Sequence, residues 1–102
     1  MYIYNVTLNV EDDVHDAWLQ WMKREHIPEM LGTGKFLRAL MSRILVREET
    51  GGTTYSVQYQ TKDKATLQRY YEEDAEAMRK KSNRFKGKTV AFRTEMEVID
   101  QQ

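Results

Sequence analysis

The 102-residue chain has no cysteine, one proline, five glycines and two histidines. Without cysteine there is no disulfide, no thiol nucleophile and no cysteine-based metal site. His15 and His26 lie eleven residues apart, which is not the local spacing of a metal-binding helix. Two histidines also leave no Ser-His-Asp arrangement to argue for. Lys plus Arg and Asp plus Glu are both 16, so the formal charge is zero. A dedicated nucleic-acid binder would normally carry a basic excess. No apolar run approaches the ~20 residues of a membrane span. No basic region followed by an apolar stretch precedes the first strand-like pattern, so a secretory signal is not expected and the expected compartment is the cytoplasm. The expectations are therefore no metal, no cofactor, no nucleic-acid partner and no membrane.

What is present is bulky. Two Trp, six Tyr and three Phe supply core material to a chain that is 40% hydrophobic and 31% charged. One domain is the expectation at this length. Such a chain buries roughly 60–65% of its unfolded surface, a thin core that self-association would help.

Residues Tyr2 to Val10 alternate, with Tyr2, Tyr4, Val6, Leu8 and Val10 on one face. Period two predicts a strand with one apolar face. Glu11-Asp12-Asp13 offers carboxylates for a helix start, and Val14, Ala17, Trp18, Trp21 and Met22 follow at helical spacing. Pro28 cannot donate to the Arg24 carbonyl and disfavours helical geometry at Ile27, which predicts a break or kink near His26. Gly32-Thr33-Gly34 ends the element. A second strand is expected from Leu37 to Arg47, with its inner face undetermined. Glu49-Thr50-Gly51-Gly52 predicts a turn, and Thr53 to Gln60 a third strand with Tyr55, Val57 and Tyr59 inward.

Asp63 is a plausible N-cap for a second helix whose buried stripe is Leu67, Tyr70, Tyr71, Ala75 and Met78. Asp74 falls on that stripe, where an unpaired carboxylate is unwelcome. The simpler expectation is a break there, with Asp74 capping a second segment. The last strand runs from Thr89 to Ile99, with Val90, Phe92, Met96 and Val98 opposite Arg93, Glu95 and Glu97. The basic residues Arg79, Lys80, Lys81, Arg84, Lys86 and Lys88 read as a solvated helix end, since acids lie just upstream.

The order β-α-β-β-α-β predicts an α+β, ferredoxin-like fold: a four-stranded antiparallel sheet with both helices on one face. The first strand would lie between the third and the fourth. If the apolar strand faces cover the helices, the other face carries Asn5, Thr7, Ser56, Gln58, Arg93 and Glu95. It would be solvated, or would meet its own copy across a two-fold axis; a homodimer is the expectation.

Seven short runs carry a resemblance: Tyr4-Asn5-Val6-Thr7, Trp18-Leu19-Gln20-Trp21-Met22, His26-Ile27-Pro28, Thr33-Gly34-Lys35-Phe36, Tyr55-Ser56-Val57-Gln58-Tyr59, Tyr70-Tyr71-Glu72-Glu73-Asp74 and Ala91-Phe92-Arg93-Thr94-Glu95. Over essentially its whole length the chain resembles an uncharacterised bacterial domain family of unknown function. The resemblance implies the dimeric α/β-barrel variant of the ferredoxin-like fold and no established activity. More distantly, Trp21 followed by His26-Ile27-Pro28 is similar to the EthD-like and stress-responsive proteins of that superfamily, where an aromatic residue precedes His-x-Pro on the first helix. Relatives there include cofactor-free monooxygenases, lactone isomerases, haem-degrading enzymes and ligand sensors. A fold shared by so many chemistries does not choose among them.

Within the residues, His26 is the leading catalytic candidate, because imidazole titrates near neutrality and a helix break can turn it toward a cavity. The alternative is that it bonds a carbonyl freed by Pro28. Tyr70 and Asp74, with Tyr71, could orient an enolic or phenolic substrate, or could be core packing and a cap. Trp18 and Trp21 could wall a planar ligand, or simply fill the core. Arg93 and Glu95 could form an anion site, or an ion-pair network at a dimer face shared with Asn5, Thr7 and Gln58. His15 is expected on a solvated helix face. Gly32-Thr33-Gly34 and Gly51-Gly52 are turns, since neither has a phosphate-loop ending. Three functions stay open: a binding or regulatory module for an apolar or aromatic metabolite, a cofactor-independent oxygenase or isomerase using His26, and a structural protein without a ligand. A cavity bordered by His26 favours the first two.

Overall fold

The structure, a computed structural model, describes every residue except Arg47, Glu48 and Thr50. The expected far end of the second strand at Arg47 and part of the turn at Thr50 therefore lie outside the described residues. The first strand, β1 (Tyr2–Val10), leads through a 3-10 turn into helix α1 (His15–Trp21). A π-helical segment (Met22–His26) joins it to α2 (Ile27–Gly32). Strands β2 (Arg38–Ile44) and β3 (Thr53–Thr61) follow, then α3 (Lys64–Glu73), α4 (Ala75–Lys81), a 3-10 turn (Ser82–Phe85) and β4 (Thr89–Glu97). The sheet order is β2-β3-β1-β4 with every pair antiparallel. This is the expected α+β, ferredoxin-like arrangement, with β1 between β3 and β4.

Local chemistry explains the element ends. The Asp63 carboxylate accepts hydrogen bonds from the Thr66 N–H (2.8 Å) and hydroxyl (2.6 Å), capping α3. Those two bonds hold its carboxyl below the usual range. Gly51 and Gly52 take φ of 84° and 76° in the β2–β3 turn, where L side chains are strained. Pro28 does not break the first helix. The chain widens by one residue instead, and the Ile27 N–H donates to the Met22 carbonyl five residues back. A π-turn of this kind absorbs the missing donor within a continuous helical path.

The core forms between one sheet face and the helices. Tyr4, Leu8, Val10, Val57 and Tyr59 from the sheet meet Trp18, Trp21, Met30, Leu67, Tyr70 and Phe85. The aromatic rings make a continuous cluster: Tyr4 lies 5.4 Å from Tyr70, and Phe36 lies 4.9 Å from Tyr70, both between centroids. The register decides β2, whose face was undetermined. Ala39, Met41 and Arg43 pair with Tyr59, Val57 and Tyr55 and so share the helix side.

The register also corrects β4. Ala91, Arg93, Glu95 and Glu97 pair with Leu8, Val6, Tyr4 and Tyr2, so they face the helices. Val90 and Phe92 point outward and are 76% and 62% exposed. Arg93 and Glu95 are therefore not on the outer face with Asn5, Thr7 and Gln58. The physical reason is that the helix layer stops short of this edge strand. The inner side of β4 remains wet and polar, and its apolar side looks away from the helices. On the outer face the edge strands contribute apolar Leu40, Ile44, Val90 and Phe92. The centre is polar, with Ser56 donating to Asn5 Oδ1 (2.7 Å) and Asn5 donating to Thr7 (2.9 Å). Among the described residues, no helix is long and apolar enough to cross a membrane.

Candidate functional site

A cavity of about 300 Å³ lies between β1, β4 and the helices. Its depth is apolar and aromatic, formed by Tyr4, Trp18, Trp21, Met30, Tyr70 and Phe85. Its mouth opens between α4 with its 3-10 turn and β4, at the exposed residues Arg79, Asn83, Lys86, Ala91 and Arg93.

The π-turn builds one wall. In a regular α-helix, residues five apart are displaced by about 140° around the axis. The wider turn closes that angle, and Trp21 and His26 stack at 4.6 Å between centroids with planes 19° apart. His26 Nδ1 is buried without a hydrogen-bond partner, so the expected bond to a freed carbonyl is not formed by this atom. Burial holds the imidazole neutral, with its pKa lowered to about 4. The Lys81 and Arg93 charges push the same way, against the opposing pull of Glu29.

Tyr70 is the one member of the Tyr70, Tyr71 and Asp74 set that borders the cavity. Its hydroxyl donates to Met30 Sδ at 3.4 Å, and burial pushes its pKa up. Tyr71 faces Glu95; burial first, then the Glu95 charge, push its hydroxyl up to about 12. Asp74 corrects its expected role. The helix does break there, but the carboxylate caps nothing. It pairs with Lys35 Nζ at 2.8 Å, and that ammonium is buried, with 8% of its side chain exposed. Each charge supplies the partner the other needs when taken out of water, which accounts for a carboxylate on the buried stripe.

Arg93 reaches the cavity from β4, and its Nε donates to the Tyr4 hydroxyl at 2.9 Å. Most of the basic run around residue 80 is matched by acids: Lys80 with Glu76, Lys81 with Glu29, Arg84 with Glu25 and Lys88 with Asp13. Arg79 and Lys86 from that run border the cavity instead. Nothing in the basic run itself separates them from their neighbours, because helix phase against a strand is a tertiary property. His15 also departs from expectation. It is not solvated but stacks on Tyr55, with Nε2 at 2.6 Å from the hydroxyl. Among the described residues, no group of three or more His, Asp or Glu could hold a metal ion.

Similar folds accompany this geometry. The chain is similar to an ethyl tert-butyl ether D (EthD) family protein from Bacillus halodurans, with a TM-score of 0.73, 18% identity, and 97% of this chain and 100% of that one covered. It is similar to a dimeric ferredoxin-like protein from an uncultured marine organism, with a TM-score of 0.73, 13% identity, and 99% and 97% covered. It is also similar to SnoaB, a cofactor-independent oxygenase from Streptomyces nogalater, with a TM-score of 0.69, 9% identity, and 98% and 95% covered. At these identities the likeness shows the fold. No curated protein matches the sequence. Residues 1–99 match the family described as Domain of unknown function (DUF4286), and the chain belongs to that family.

Proposed function

We propose that the protein is a homodimeric module that binds a small apolar or aromatic metabolite in the cavity between sheet and helices. The observation that carries this reading is the cavity itself: about 300 Å³ that leads from an exposed mouth to an aromatic floor. Ligand sites are apolar concavities of roughly 300–1,000 Å³ with a few polar groups, so the size fits a one- or two-ring molecule. Trp18 and Trp21 supply flat walls, and neutral His26 with the Tyr70 hydroxyl supplies polar anchors. The outer sheet face supports the dimer. A frame of Leu40, Ile44, Val90 and Phe92 surrounds polar Asn5, Thr7 and Gln58, a composition suited to a self-complementary contact. Two structural neighbours described as dimeric ferredoxin-like proteins are consistent with it.

The oxygenase or isomerase alternative has weaker support. A general base works best with a pKa near the operating pH, and His26 lies well below neutrality. The binding reading is tested by titrating the protein with one- and two-ring arenes while following Trp emission, and by native mass spectrometry. Saturable quenching and a dimer are expected. Unchanged emission with every arene at millimolar concentration would refute the cavity reading. A protein that stays monomeric at tens of micromolar would remove the dimer.

A further inference from the structure

We infer that the metabolite is an anion: an aromatic or apolar acid whose ring enters the aromatic pit and whose carboxylate, or equivalent oxyanion, sits at the mouth between Arg79 and Arg93. This rests on the cavity reading above and names the ligand class that reading leaves open.

The charge around the cavity is one-sided. Arg79, Lys86 and Arg93 border it, and no described Asp or Glu does. The chain as a whole is balanced, with 16 cations and 16 anions. Most of the neighbouring basic side chains are matched to acids, Lys81, Arg84 and Lys88 among them. Arg79, Lys86 and Arg93 form no ion pair among the described residues. Glu95 shares the inner face of β4 with Arg93 but is directed to Tyr71. Glu29, whose charge reaches His26, is held by Lys81, and Asp74, whose charge reaches Tyr70, is held by Lys35.

The two guanidiniums act on one region. Both lower the pKa of the Tyr70 hydroxyl against the effect of burial, and the Arg93 charge also reaches His26. Arg93 is fixed in place by its Nε bond to Tyr4, which leaves its terminal N–H groups for an acceptor. A planar guanidinium matches a carboxylate with two parallel bonds, and such charge-assisted bonds are about twice as strong as neutral ones. A neutral arene would bury the same rings but leave these donors to water. A cationic ligand would meet like charge at the mouth.

The test compares two probes of the same shape, 2-naphthoate and the neutral 2-naphthamide, by quenching of Trp emission. Naphthoate is expected to bind at least about tenfold more tightly. Its advantage should fall as salt is raised, because the mouth is exposed. Arg79→Gln and Arg93→Gln should each shrink the ratio of the two affinities. Arg79 is exposed and outside any described ion pair, so this variant puts folding least at stake. Equal affinity for the two probes overturns the inference and leaves the cavity reading standing. An advantage that survives both substitutions also overturns it, since the arginines would not be its source. Failure of both probes to bind overturns the inference together with the reading beneath it.

Discussion

Acidification should destabilise this protein through His26 in a window where few other groups titrate. The imidazole is neutral in the folded state, with its pKa held near 4 chiefly by desolvation and further by Lys81 and Arg93. In the unfolded chain it returns to about 6.5. The unfolded state therefore binds more protons between these two values, and stability rises with pH across that interval. The contribution is complete above the unfolded value and is lost as pH falls toward the folded one. Each pH unit is worth about 1.4 kcal/mol, so at about pH 5 the loss relative to neutrality is about 2 kcal/mol. Asp13 and Asp63, whose carboxyls are held below their usual range, lose their contributions only at lower pH and do not confuse the reading. The assay is urea unfolding at a series of pH values, at one protein concentration because a dimer couples stability to mass action. Wild type and His26→Leu are compared. The variant should lose the extra ~2 kcal/mol of slope. Parallel stability curves for the two proteins would refute the claim that His26 is buried neutral, and with it the view that the ring serves as an uncharged anchor.

Three further outcomes follow from packing. At Gly52, a Cβ would come within 2.5 Å of Asn9 Oδ1 and 2.8 Å of the Val10 carbonyl, at a φ of +76°. Gly52→Ala should therefore cost more than about 1 kcal/mol. Gly34→Ala, with a similar φ and open space around it, should cost less in the same denaturation experiment. Equal losses would show that the strand contact is not close. Asp74→Ala should destabilise by about 1–3 kcal/mol, since it leaves Lys35 buried with only longer contacts, to Glu73 at 3.6 Å and to the Thr33 carbonyl at 3.5 Å. Joining it to Lys35→Met should recover most of the loss, and a double variant as weak as Asp74→Ala alone would contradict a buried-charge origin. Phe92→Asp should dissociate the proposed homodimer in sedimentation velocity, whereas Glu95→Lys, on the helix side, should not. The opposite pattern would return the dimer face to the polar side of β4.

The β4 strand shows what alternation does and does not carry. The sequence determined the elements, because periods of two and of 3.6 are set by backbone geometry and read directly from Tyr2–Val10 or Lys64–Glu73. It determined the strand order too, since two βαβ units joined by a hairpin have few ways to pair. Local rules also placed the Asp63 cap and the turn at Gly51-Gly52. Trp18, Trp21, His26 and Tyr70 were identifiable as residues to watch, because bulky rings on one stripe before a proline must meet somewhere in a small core.

The tertiary structure decided the rest. Alternation in Thr89–Glu97 says that two faces differ, but not which one the helices cover. The register against β1 settles that, and it turns Arg93 from a surface partner into a cavity residue. Pro28 signalled a break, yet the chain had a second solution, a wide turn that keeps the helix and brings Trp21 onto His26. Asp74 was visible as an oddity, while Lys35, its partner 39 residues away, was not. Arg79 and Arg84 look alike in sequence and differ only in what lies opposite. Pairing along a chain is a local matter of dihedral angles and periods. The partner a charge finds, and the side of a strand that stays wet, depend on contacts between segments far apart in sequence, and those are fixed only when the layers pack.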